Sequence, residues 1–423
     1  MENGARMTPV HDQMREEWNE RAREDAHYYV AFGRRGQDDN EFFATAQEIL
    51  TTFYRELRRG TPTDATGRRF LEIGCGPGRL MKPLSSLCGE IHGVDVSDEM
   101  IARAKANLTG IAHAFPRAGT GSTLDFPNEH FDFVYSYAVF QHIPSREVVF
   151  SYLRETIRVL KPGGIARLQL NGLPKSAAEY TTWAGVRIDA DEIREFAREQ
   201  GIQLLALEGL GTQYMWTTWR KAAPGEPSSG IRIRRVTNAF STEPAVPVGG
   251  RFSALSAWVE GLSETADLNT LALRIAGRPT TSTYIGQAEP DGLRQVNALL
   301  PPDLPTGIAA LELAGAEHRV RLVPKPPSVP RVMGLTDGVD LMSVRRVGSG
   351  VGKLSVEEFE PISAFRAEFG DREVTEWEAF CVDPAPPRHE VNFKVPKELQ
   401  PGQYFLKIFL GNRQIAAEIV TIS

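Results

Sequence analysis

A glycine-rich segment near residue 75 constrains the fold of this chain more than any other feature. An acidic residue, Glu72, lies at the end of an apolar run and is followed by Gly74, Gly76 and Gly78. This order is typical of a strand that passes through a tight turn into a helix. Glycines at alternate positions let backbone amides approach a ligand where a Cβ atom would intrude. The segment predicts a strand–turn–helix unit with a ligand at the turn, and the turn alone does not identify that ligand.

Short apolar strands alternate with helices over the next 150 or so residues. This alternation predicts an α/β domain with a mostly parallel sheet that helices cover on both faces. Apolar residues at helical spacing upstream predict a helical segment over 11–59. The predicted strands are 69–74, 90–95, 110–115, 131–137, 164–171, 202–208 and 213–220, and the predicted helices are 78–88, 97–107, 145–160 and 189–200.

The sequence pattern changes after Lys221. Short alternating segments separated by Pro and Gly are typical of β-sandwiches. Residues 295–307 align without a gap with residues 390–402, at an offset of 95. Since an immunoglobulin-like sandwich needs about 100 residues, the offset predicts two tandem copies, although repetitive hairpin chemistry can also produce such a match. The predicted domains are a helical cap (1–60), an α/β domain (61–221), a linker (222–230) and two immunoglobulin-like β-sandwiches (231–325 and 326–423).

Composition and charge exclude several classes of function. A net charge of −6 gives no basic surface for nucleic acid or an anionic membrane. No run approaches the roughly 18 apolar residues of a membrane span, and no secretory signal pattern is expected. The three cysteines are scattered, and the eight histidines show no ligand spacing with Cys, Asp or Glu. We therefore expect a cytoplasmic protein with no metal site, no membrane span and no nucleic-acid partner.

Further signals follow the glycine segment in a fixed order. Asp95 ends the second predicted strand, where a carboxylate can bind both hydroxyls of a ribose held over the first turn. An aromatic strand begins at Phe131, and Lys161 with the following Pro-Gly-Gly leads into the fifth strand. Together with Glu72 and its glycines, this set resembles the class I S-adenosylmethionine-dependent methyltransferases, a broad group that includes small-molecule and quinone methyltransferases. The resemblance covers residues 15–221, about half of the chain.

The resemblance implies a Rossmann-like fold, methyltransferase activity and S-adenosylmethionine as the cofactor. It implies that the glycine backbone lies against the methionine and ribose, that Glu72 faces the ammonium group and that Asp95 binds the ribose hydroxyls. Val96 and Met100 would flank the adenine, and residues 136–138 would lie beneath the sulfonium. The predicted cofactor-binding residues are Tyr28, Tyr29, Glu72, Gly74, Cys75, Gly76, Gly78, Asp95, Val96, Met100, Thr120, Gly121, Ser122, Ser136, Tyr137 and Gln141.

The chain departs from the family pattern before the fourth strand. Family members commonly carry Gly-Asp-Ala there, with the Asp bonding the adenine amino group. This chain reads Gly119-Thr120-Gly121-Ser122. Thr120, Ser122 or a backbone carbonyl could accept that hydrogen bond instead, and adenine affinity is expected to be lower.

His142 is the candidate catalytic base, because it follows the fourth strand at the mouth of the expected site. A structural histidine at a helix start is the alternative, and Gln141 is a second polar candidate. Tyr28 and Tyr29 could stabilise the sulfonium by cation–π attraction, or only attach the helical cap to the sheet. Cys75 takes a place where the family often has a small residue, so a redox role is not expected.

The implied reaction is in-line displacement of a methyl group from the sulfonium, with the protein supplying alignment and desolvation. No Asn-Pro-Pro-Tyr-like run follows the fourth strand, which counts against methylation of base or amide nitrogens. A hydroxyl or carboxyl group, or another nucleophile of a small molecule or glycan, is therefore the expected acceptor. Residues 172–186, with Pro174, Tyr180 and Trp183, are the expected acceptor-side lid.

The two sandwiches weakly resemble bacterial immunoglobulin-like (IPT/TIG-type) modules, which implies dimerisation or docking of a protein or glycan. A non-catalytic scaffold that only binds the cofactor is the competing hypothesis. An NAD-dependent oxidoreductase fits less well, because its loop would read Gly-x-Gly-x-x-Gly.

Overall fold

The structure is a computed structural model that describes residues 10–31, 35–59, 67–175, 180–222, 225–250, 252–341, 343–383 and 387–423. The expected boundary at residues 60 and 61 lies outside the described residues, as do residues 223–224 of the expected linker and 176–179 of the expected lid. Among the described helices, none has the length and apolar character needed to cross a membrane.

Helices precede the sheet, as the apolar spacing predicted. They are α1 (Val10–Val30), α2 (Asp39–Ala44) and α3 (Gln47–Leu57). Asp38 begins α2 with a capping box, since its side chain accepts from the Glu41 backbone and the Glu41 side chain accepts from the Asp38 backbone. Helix α1 is interrupted at Asp25, whose backbone is extended, so the helix can bend over the carboxyl end of the sheet.

Seven strands form the sheet of the α/β domain, with helices on both faces. The strands are β1 (Arg69–Ile73), β2 (Glu90–Asp95), β3 (Ala114–Ala118), β4 (Phe131–Ser136), β5 (Leu160–Leu170), β6 (Gln203–Glu208) and β7 (Met215–Arg220). The later helices are α4 (Met81–Leu84), α5 (Asp98–Asn107), α6 (Arg146–Val159) and α7 (Ala190–Gln200). The strand order is β3-β2-β1-β4-β5-β7-β6, with only β7 antiparallel to its neighbours. The predicted Rossmann-like, mostly parallel sheet is therefore confirmed.

One strand lies later in the chain than the sequence predicted. Instead of 110–115, β3 covers Ala114–Ala118 and contains Pro116. Gly110 has a φ of +91°, and the Ile111 and Ala114 amides close tight turns after α5. The strand tolerates Pro116 because it is the edge of the sheet.

The sheet does not end at β6 but continues into the C-terminal half. The strands of the first β-sandwich are β8 (Arg232–Asn238), β9 (Ala245–Pro247), β10 (Ala254–Glu260), β11 (Arg274–Ile275), β12 (Arg278–Pro279), β13 (Thr281–Ala288), β14 (Arg294–Leu299), β15 (Gly307–Leu313) and β16 (Ala316–Val323). Strand β13 pairs antiparallel with β6 through Tyr284 and Ala206, which joins the α/β sheet and one sandwich sheet into a single sheet of 11 strands.

The second sandwich repeats the strand connections of the first. Its strands are β17 (Arg331–Asp337), β18 (Arg346–Val347), β19 (Val351–Glu357), β20 (Phe365–Phe369), β21 (Arg372–Glu373), β22 (Trp377–Asp383), β23 (Arg388–Lys394), β24 (Gly402–Leu410) and β25 (Arg413–Ile422). The sheet β13-β14-β10-β8 corresponds to β22-β23-β19-β17, and the sheet β12-β11-β15-β16-β9 corresponds to β21-β20-β24-β25-β18. In both copies the aligned segment runs from a strand of one sheet into a strand of the other, so the sequence repeat reflects a repeated topology.

A buried polar network joins the α/β domain to the first sandwich. The carboxylate of Glu56 and the guanidinium of Arg59 form an ion pair in which both side chains are at most 1% exposed. Arg59 also donates to the Ile285 carbonyl at 2.5 Å and lies 5.0 Å from the Tyr284 ring centroid. Leu268 and Ile285 pack in the same hydrophobic core as the α/β sheet. The first sandwich therefore shares both a sheet and a core with the α/β domain.

Candidate functional site

A cavity opens at the carboxyl ends of β1, β2 and β4. This is the edge at which open α/β sheets bind ligands. The side chains and backbone around it come from the glycine turn, the end of β2, the segment after β4 and helix α1. The lining residues are Met14, Trp18, Tyr29, Val30, Glu72, Ile73, Gly74, Cys75, Gly76, Arg79, Leu80, Val94, Asp95, Val96, Met100, Tyr137, Ala138, Val139, His142, Ile143 and Tyr152.

The turn after β1 requires glycine at Gly74. Its φ is +72°, and a Cβ atom there would lie 2.2 Å from the Val139 side chain. The Gly74 and Cys75 amides both donate to the Val94 carbonyl, at 2.8 and 3.0 Å. These bonds fix the turn against the end of β2, so that the turn backbone forms one wall of the cavity.

Asp95 connects the end of β2 to the glycine turn. Its carboxylate accepts hydrogen bonds from the Gly76 amide at 2.8 Å and from the Ser97 amide at 2.9 Å. Burial raises the pKa of Asp95 to about 6. A carboxylate of this kind, held by backbone amides beside a cavity, can accept further hydrogen bonds from ligand hydroxyl groups.

Glu72 lies deeper in the same cavity and is 3% exposed. It accepts a hydrogen bond from the Tyr135 hydroxyl at 2.9 Å. Burial raises its pKa to about 8, because a carboxylate loses hydration in this environment. A cation entering the cavity would restore the ionised form, so Glu72 is suited to face an ammonium group.

Helix α1 covers the cavity from above. Met14 and Trp18 line the cavity, and Arg15 Nε donates to the Val96 carbonyl at 3.3 Å. Asn19 accepts from the Ser97 hydroxyl at 2.7 Å and from the Glu99 amide at 3.1 Å. The helix is thus attached to the segment that contains Asp95, and it shields that end of the cavity from water.

His142 lies at the opposite end, in a 3₁₀ turn (Phe140–His142) after β4. Its Nδ1 is 3.0 Å from the Trp183 carbonyl and its Nε2 is 3.2 Å from the Gln141 side-chain nitrogen. Because a carbonyl can only accept, Nδ1 carries the proton and Nε2 is the acceptor. Burial lowers the pKa of His142 to about 4, so the imidazole is neutral at pH 7.

A chain of amide hydrogen bonds holds Gln141 beside the imidazole. Gln169 Nε2 donates to Gln141 Oε1 at 3.1 Å, and the Ala138 amide donates to Gln169 Oε1 at 2.8 Å. Ala138 has a φ of +57°, a backbone strain that often occurs at functional sites.

Aromatic rings surround the His142 end of the cavity. Trp183 and Trp18 lie with their ring centroids 5.6 and 5.4 Å from that of His142. Tyr29 is 6.0 Å from Trp183, whereas Tyr28 is buried and lies under the Arg35 guanidinium at 4.4 Å. Of the two tyrosines singled out by sequence, Tyr29 lines the cavity and Tyr28 packs behind it.

Most of the predicted cofactor residues line this cavity together. Those that do are Tyr29, Glu72, Gly74, Cys75, Gly76, Asp95, Val96, Met100 and Tyr137, along with the predicted base His142. Seven of the positions predicted from sequence lie outside its lining: Tyr28, Gly78, Thr120, Gly121, Ser122, Ser136 and Gln141.

The turn before β4 satisfies its own hydrogen bonds. The Thr120 hydroxyl contacts the Thr123 hydroxyl at 2.8 Å and accepts from the Thr123 amide at 2.9 Å. Ser136 donates its hydroxyl to the Ile73 carbonyl at 2.8 Å. The hydroxyls of Thr120 and Ser136 thus form hydrogen bonds with backbone atoms of the protein. The adenine contact predicted for Thr120 or Ser122 stays a prediction.

Sequence reasoning missed several lining residues, most notably Trp18, Arg79 and Tyr152. Trp18 and Tyr152 lie on helices whose apolar spacing also suits a buried core, so no local signal separates the two roles. Arg79 directly follows the last glycine of the turn. That adjacency was an available signal.

A further cluster of ligand-type side chains lies away from the cavity. The ligand atoms of Glu90, His92 and His130 lie within 4.8 Å of one another. The sequence did not indicate this group because its members lie near two separate strands. Arg69 Nε also lies 3.1 Å from the Glu90 carboxylate, so a cation already neutralises this acid.

The sequence of this chain is similar to those of known methyltransferases. A family model described as a methyltransferase domain matches residues 71–168. A ubiquinone biosynthesis O-methyltransferase of Ruegeria pomeroyi is 36% identical over 184 residues, which cover 38% of this chain and 70% of that protein. The protein of the same name from Cereibacter sphaeroides KD131 is 36% identical over 195 residues, covering 42% and 76%. The solved Haemonchus contortus phosphoethanolamine N-methyltransferase 1 is 13% identical, with 51% of this chain and 49% of that chain covered and a TM-score of 0.38.

Proposed function

This chain belongs to the S-adenosylmethionine-dependent methyltransferases, and from that premise we propose that it methylates an oxygen atom of a small, partly aromatic acceptor. The O-methyltransferase names of its relatives support an oxygen acceptor. The aromatic rings around His142 support an acceptor with a flat apolar portion. A single observation carries the proposal, namely that the glycine turn, Glu72 and Asp95 lie in one cavity that His142 also lines.

S-adenosylmethionine supplies an electrophilic methyl group on a sulfonium, which needs no further activation. In the proposed arrangement, Asp95 binds the ribose hydroxyls and Glu72 faces the ammonium group. Val96 and Met100 lie beside Asp95 in the cavity wall and are suited to the adenine. The Gly74 turn allows backbone to approach the ligand closely, which a side chain at that position would prevent.

The chain's own contribution to the reaction is alignment and exclusion of water. Trp18 and Trp183 flank the place where the acceptor would enter. The acceptor nitrogen of the neutral His142, Nε2, lies 3.2 Å from the Gln141 side-chain nitrogen, and an acceptor hydroxyl would replace that amide as the donor to its one lone pair. With its pKa near 4, this imidazole is a weak base. We therefore propose that His142 mainly positions the hydroxyl, and that acidic hydroxyls such as phenols react fastest.

A labelled-methyl assay tests this proposal. The chain is incubated with labelled S-adenosylmethionine and a panel of phenols, aliphatic alcohols, carboxylic acids and amines. Label is expected on phenolic oxygens, and label found only on amines would contradict the oxygen assignment. Cofactor binding without transfer to any acceptor would instead favour the non-catalytic scaffold.

His142→Gln isolates the proposed role of the imidazole. It keeps a polar side chain and is expected to lower kcat by about 100-fold, the loss that a misplacement of the reacting groups by about 1 Å can cause. The KM for S-adenosylmethionine should stay unchanged. An unaltered kcat would assign a purely structural role to His142.

We propose that the two β-sandwiches are immunoglobulin-like modules with different roles. The first is fixed to the α/β domain through β6 and β13. The second presents Phe405 and Ile419, cross-strand neighbours that are 60% and 52% exposed, and we propose that it docks a second copy or another macromolecule. Light scattering of Phe405→Ser against the unaltered chain tests the self-association. We also propose a reducing, cytoplasmic location, since Cys75, Cys88 and Cys381 form no disulfide among the described residues.

A further inference from the structure

Arg79 is a buried cation in the cavity wall to which neither the family resemblance nor the proposed mechanism assigns a role. It directly follows the glycine turn, lines the cavity and is 6% exposed. A guanidinium is costly to bury unless each of its donors finds a partner. The contacts of Arg79 therefore indicate what the site is built to hold.

One edge of the guanidinium is occupied by protein. Nη1 donates to the Thr45 hydroxyl at 3.1 Å and to the Thr45 carbonyl at 3.4 Å, at the C-terminal end of α2. These contacts fix the side chain in place. They also supply a structural explanation for Arg79, which a test has to separate from a ligand-binding role.

The Nε donor of the Arg79 guanidinium is buried and lacks a partner among the described residues. The nearest ring is Tyr137, another cavity residue, at 5.8 Å from its centroid. Among the described ion pairs within 4.0 Å, none includes Arg79. A buried donor that has no partner and lies next to a ligand cavity is suited to bind an anionic group of the ligand.

The neighbouring charge shows which anion fits. Glu72 lines the same cavity, and its charge interacts with that of Arg79. A cavity that is lined by both a carboxylate and a guanidinium is complementary to a zwitterion, whose ammonium can face the carboxylate and whose carboxylate can face the guanidinium. The methionine end of the proposed cofactor is such a zwitterion.

We propose that Arg79 binds the carboxylate of the cofactor's methionine portion, so that Arg79 and Glu72 together recognise both charges of the amino-acid end. This inference rests on the proposed function. It predicts that the chain distinguishes adenosyl ligands by their carboxylate, because an Arg–carboxylate contact in a buried site is lost entirely when the ligand lacks that group.

Three ligands and four proteins test the proposal by calorimetry. The ligands are S-adenosylhomocysteine, decarboxylated S-adenosylmethionine and 5′-methylthioadenosine; the last two lack the carboxylate. The proteins are the unaltered chain, Arg79→Met, Arg79→Lys and Thr45→Val. Lys82→Met removes an exposed cation of α4, three residues after Arg79, and is the charge-matched control.

Arg79→Met is expected to weaken S-adenosylhomocysteine by about 10- to 100-fold, the range for loss of a hydrogen bond to a charged group. The two ligands without the carboxylate should change by less than about twofold, and Arg79→Lys should recover part of the affinity. Lys82→Met should resemble the unaltered chain, because it leaves the guanidinium and its contacts in place. Thr45→Val should weaken S-adenosylhomocysteine less than Arg79→Met does, because the Thr45 carbonyl still accepts from Nη1.

Equal losses for all three ligands would assign Arg79 to structure alone and overturn the inference, as would a change below twofold for S-adenosylhomocysteine. If Arg79→Met does not fold, Arg79→Lys replaces it in the test. A loss of affinity for S-adenosylhomocysteine that is no larger than the loss for the two ligands without the carboxylate would then overturn the inference. Failure of the unaltered chain to bind any of the three ligands would instead overturn the proposed function.

Discussion

Replacing Arg59 with methionine is expected to destabilise the α/β domain and the first sandwich together. The Arg59 guanidinium lies between the Glu56 carboxylate and the Ile285 carbonyl, one on each side of the junction. Without it, Glu56 keeps its contact with Arg55 at 2.6 Å but remains fully buried with less neutralising charge. The neighbouring Arg59 charge is one reason that the pKa of Glu56 lies below its usual value despite burial.

The magnitude follows from the burial of this pair. Removing one partner of a buried ion pair costs about 3–5 kcal/mol, because the other charge is left uncompensated. For a domain of this size, each kcal/mol lowers the Tm by about 2–4 °C, so Arg59→Met should lower it by about 6–20 °C. Arg234→Met is the matched control, since Arg234 pairs with Glu260 on the surface and is 48% exposed. It should change stability by less than about 0.5 kcal/mol.

Differential scanning calorimetry measures this prediction, with tryptophan fluorescence as a second probe. If the shared sheet makes one cooperative unit, Arg59→Met shifts the whole transition of that unit. The double variant Glu56→Leu with Arg59→Met should recover much of the loss, because no unpaired charge remains. A Tm within about 2 °C of the unaltered chain, or a sandwich transition that separates from an unshifted α/β transition, would refute the reasoning.

Two other predictions concern the cofactor cavity. Because Glu72 has a pKa of about 8 and a bound ammonium group favours its ionised form, S-adenosylhomocysteine should bind about tenfold more weakly per pH unit as the pH falls from 8 towards the pKa of the complex. Calorimetry at pH 6, 7 and 8 measures this, Glu72→Gln should flatten the dependence, and a flat profile in the unaltered chain would contradict it. Gly74→Ala should destabilise the chain and impair cofactor binding, because the new Cβ would lie 2.2 Å from the Val139 side chain. Gly211→Ala has a similar φ of +75° with nothing within 4 Å of the new Cβ, so it should cost only the backbone strain of about 1–2 kcal/mol, and equal effects of the two variants on stability and binding would exclude the steric explanation.

The α/β sheet was accessible from sequence because its signals are local. Apolar strands, a glycine turn and acids at strand ends each occupy a few consecutive residues, and parallel strands bring their carboxyl ends to one edge. Glu72 and Asp95 were therefore predicted to lie near the same ligand. The position of β3 could not be predicted from sequence. A proline such as Pro116 argues against a strand, and only the place of β3 at the edge of the sheet permits it.

The junction between the domains was not accessible from sequence. Strand β13 has the pattern of any sandwich strand, and nothing near Tyr284 specifies pairing with Ala206 of β6. Glu56 lies in the last turn of α3, and Arg59 lies two residues after the helix ends. Opposite charges three residues apart usually form an exposed ion pair on a helix surface. Only the complete fold shows that this pair is buried. For Arg79, its position directly after the glycine turn was an available signal, but its contact with the distant Thr45 was not.

The central claim is that Asp95 and the glycine turn bind the adenosyl group, and calorimetric titration with S-adenosylhomocysteine tests it most directly. The unaltered chain should bind one molecule per chain, and Asp95→Ala should weaken that binding by about 10- to 100-fold through loss of hydrogen bonds to a charged acceptor. Asp98→Ala, an exposed acid three residues on, should bind like the unaltered chain. Equal affinity in Asp95→Ala and the unaltered chain, or no binding by either, would contradict the account.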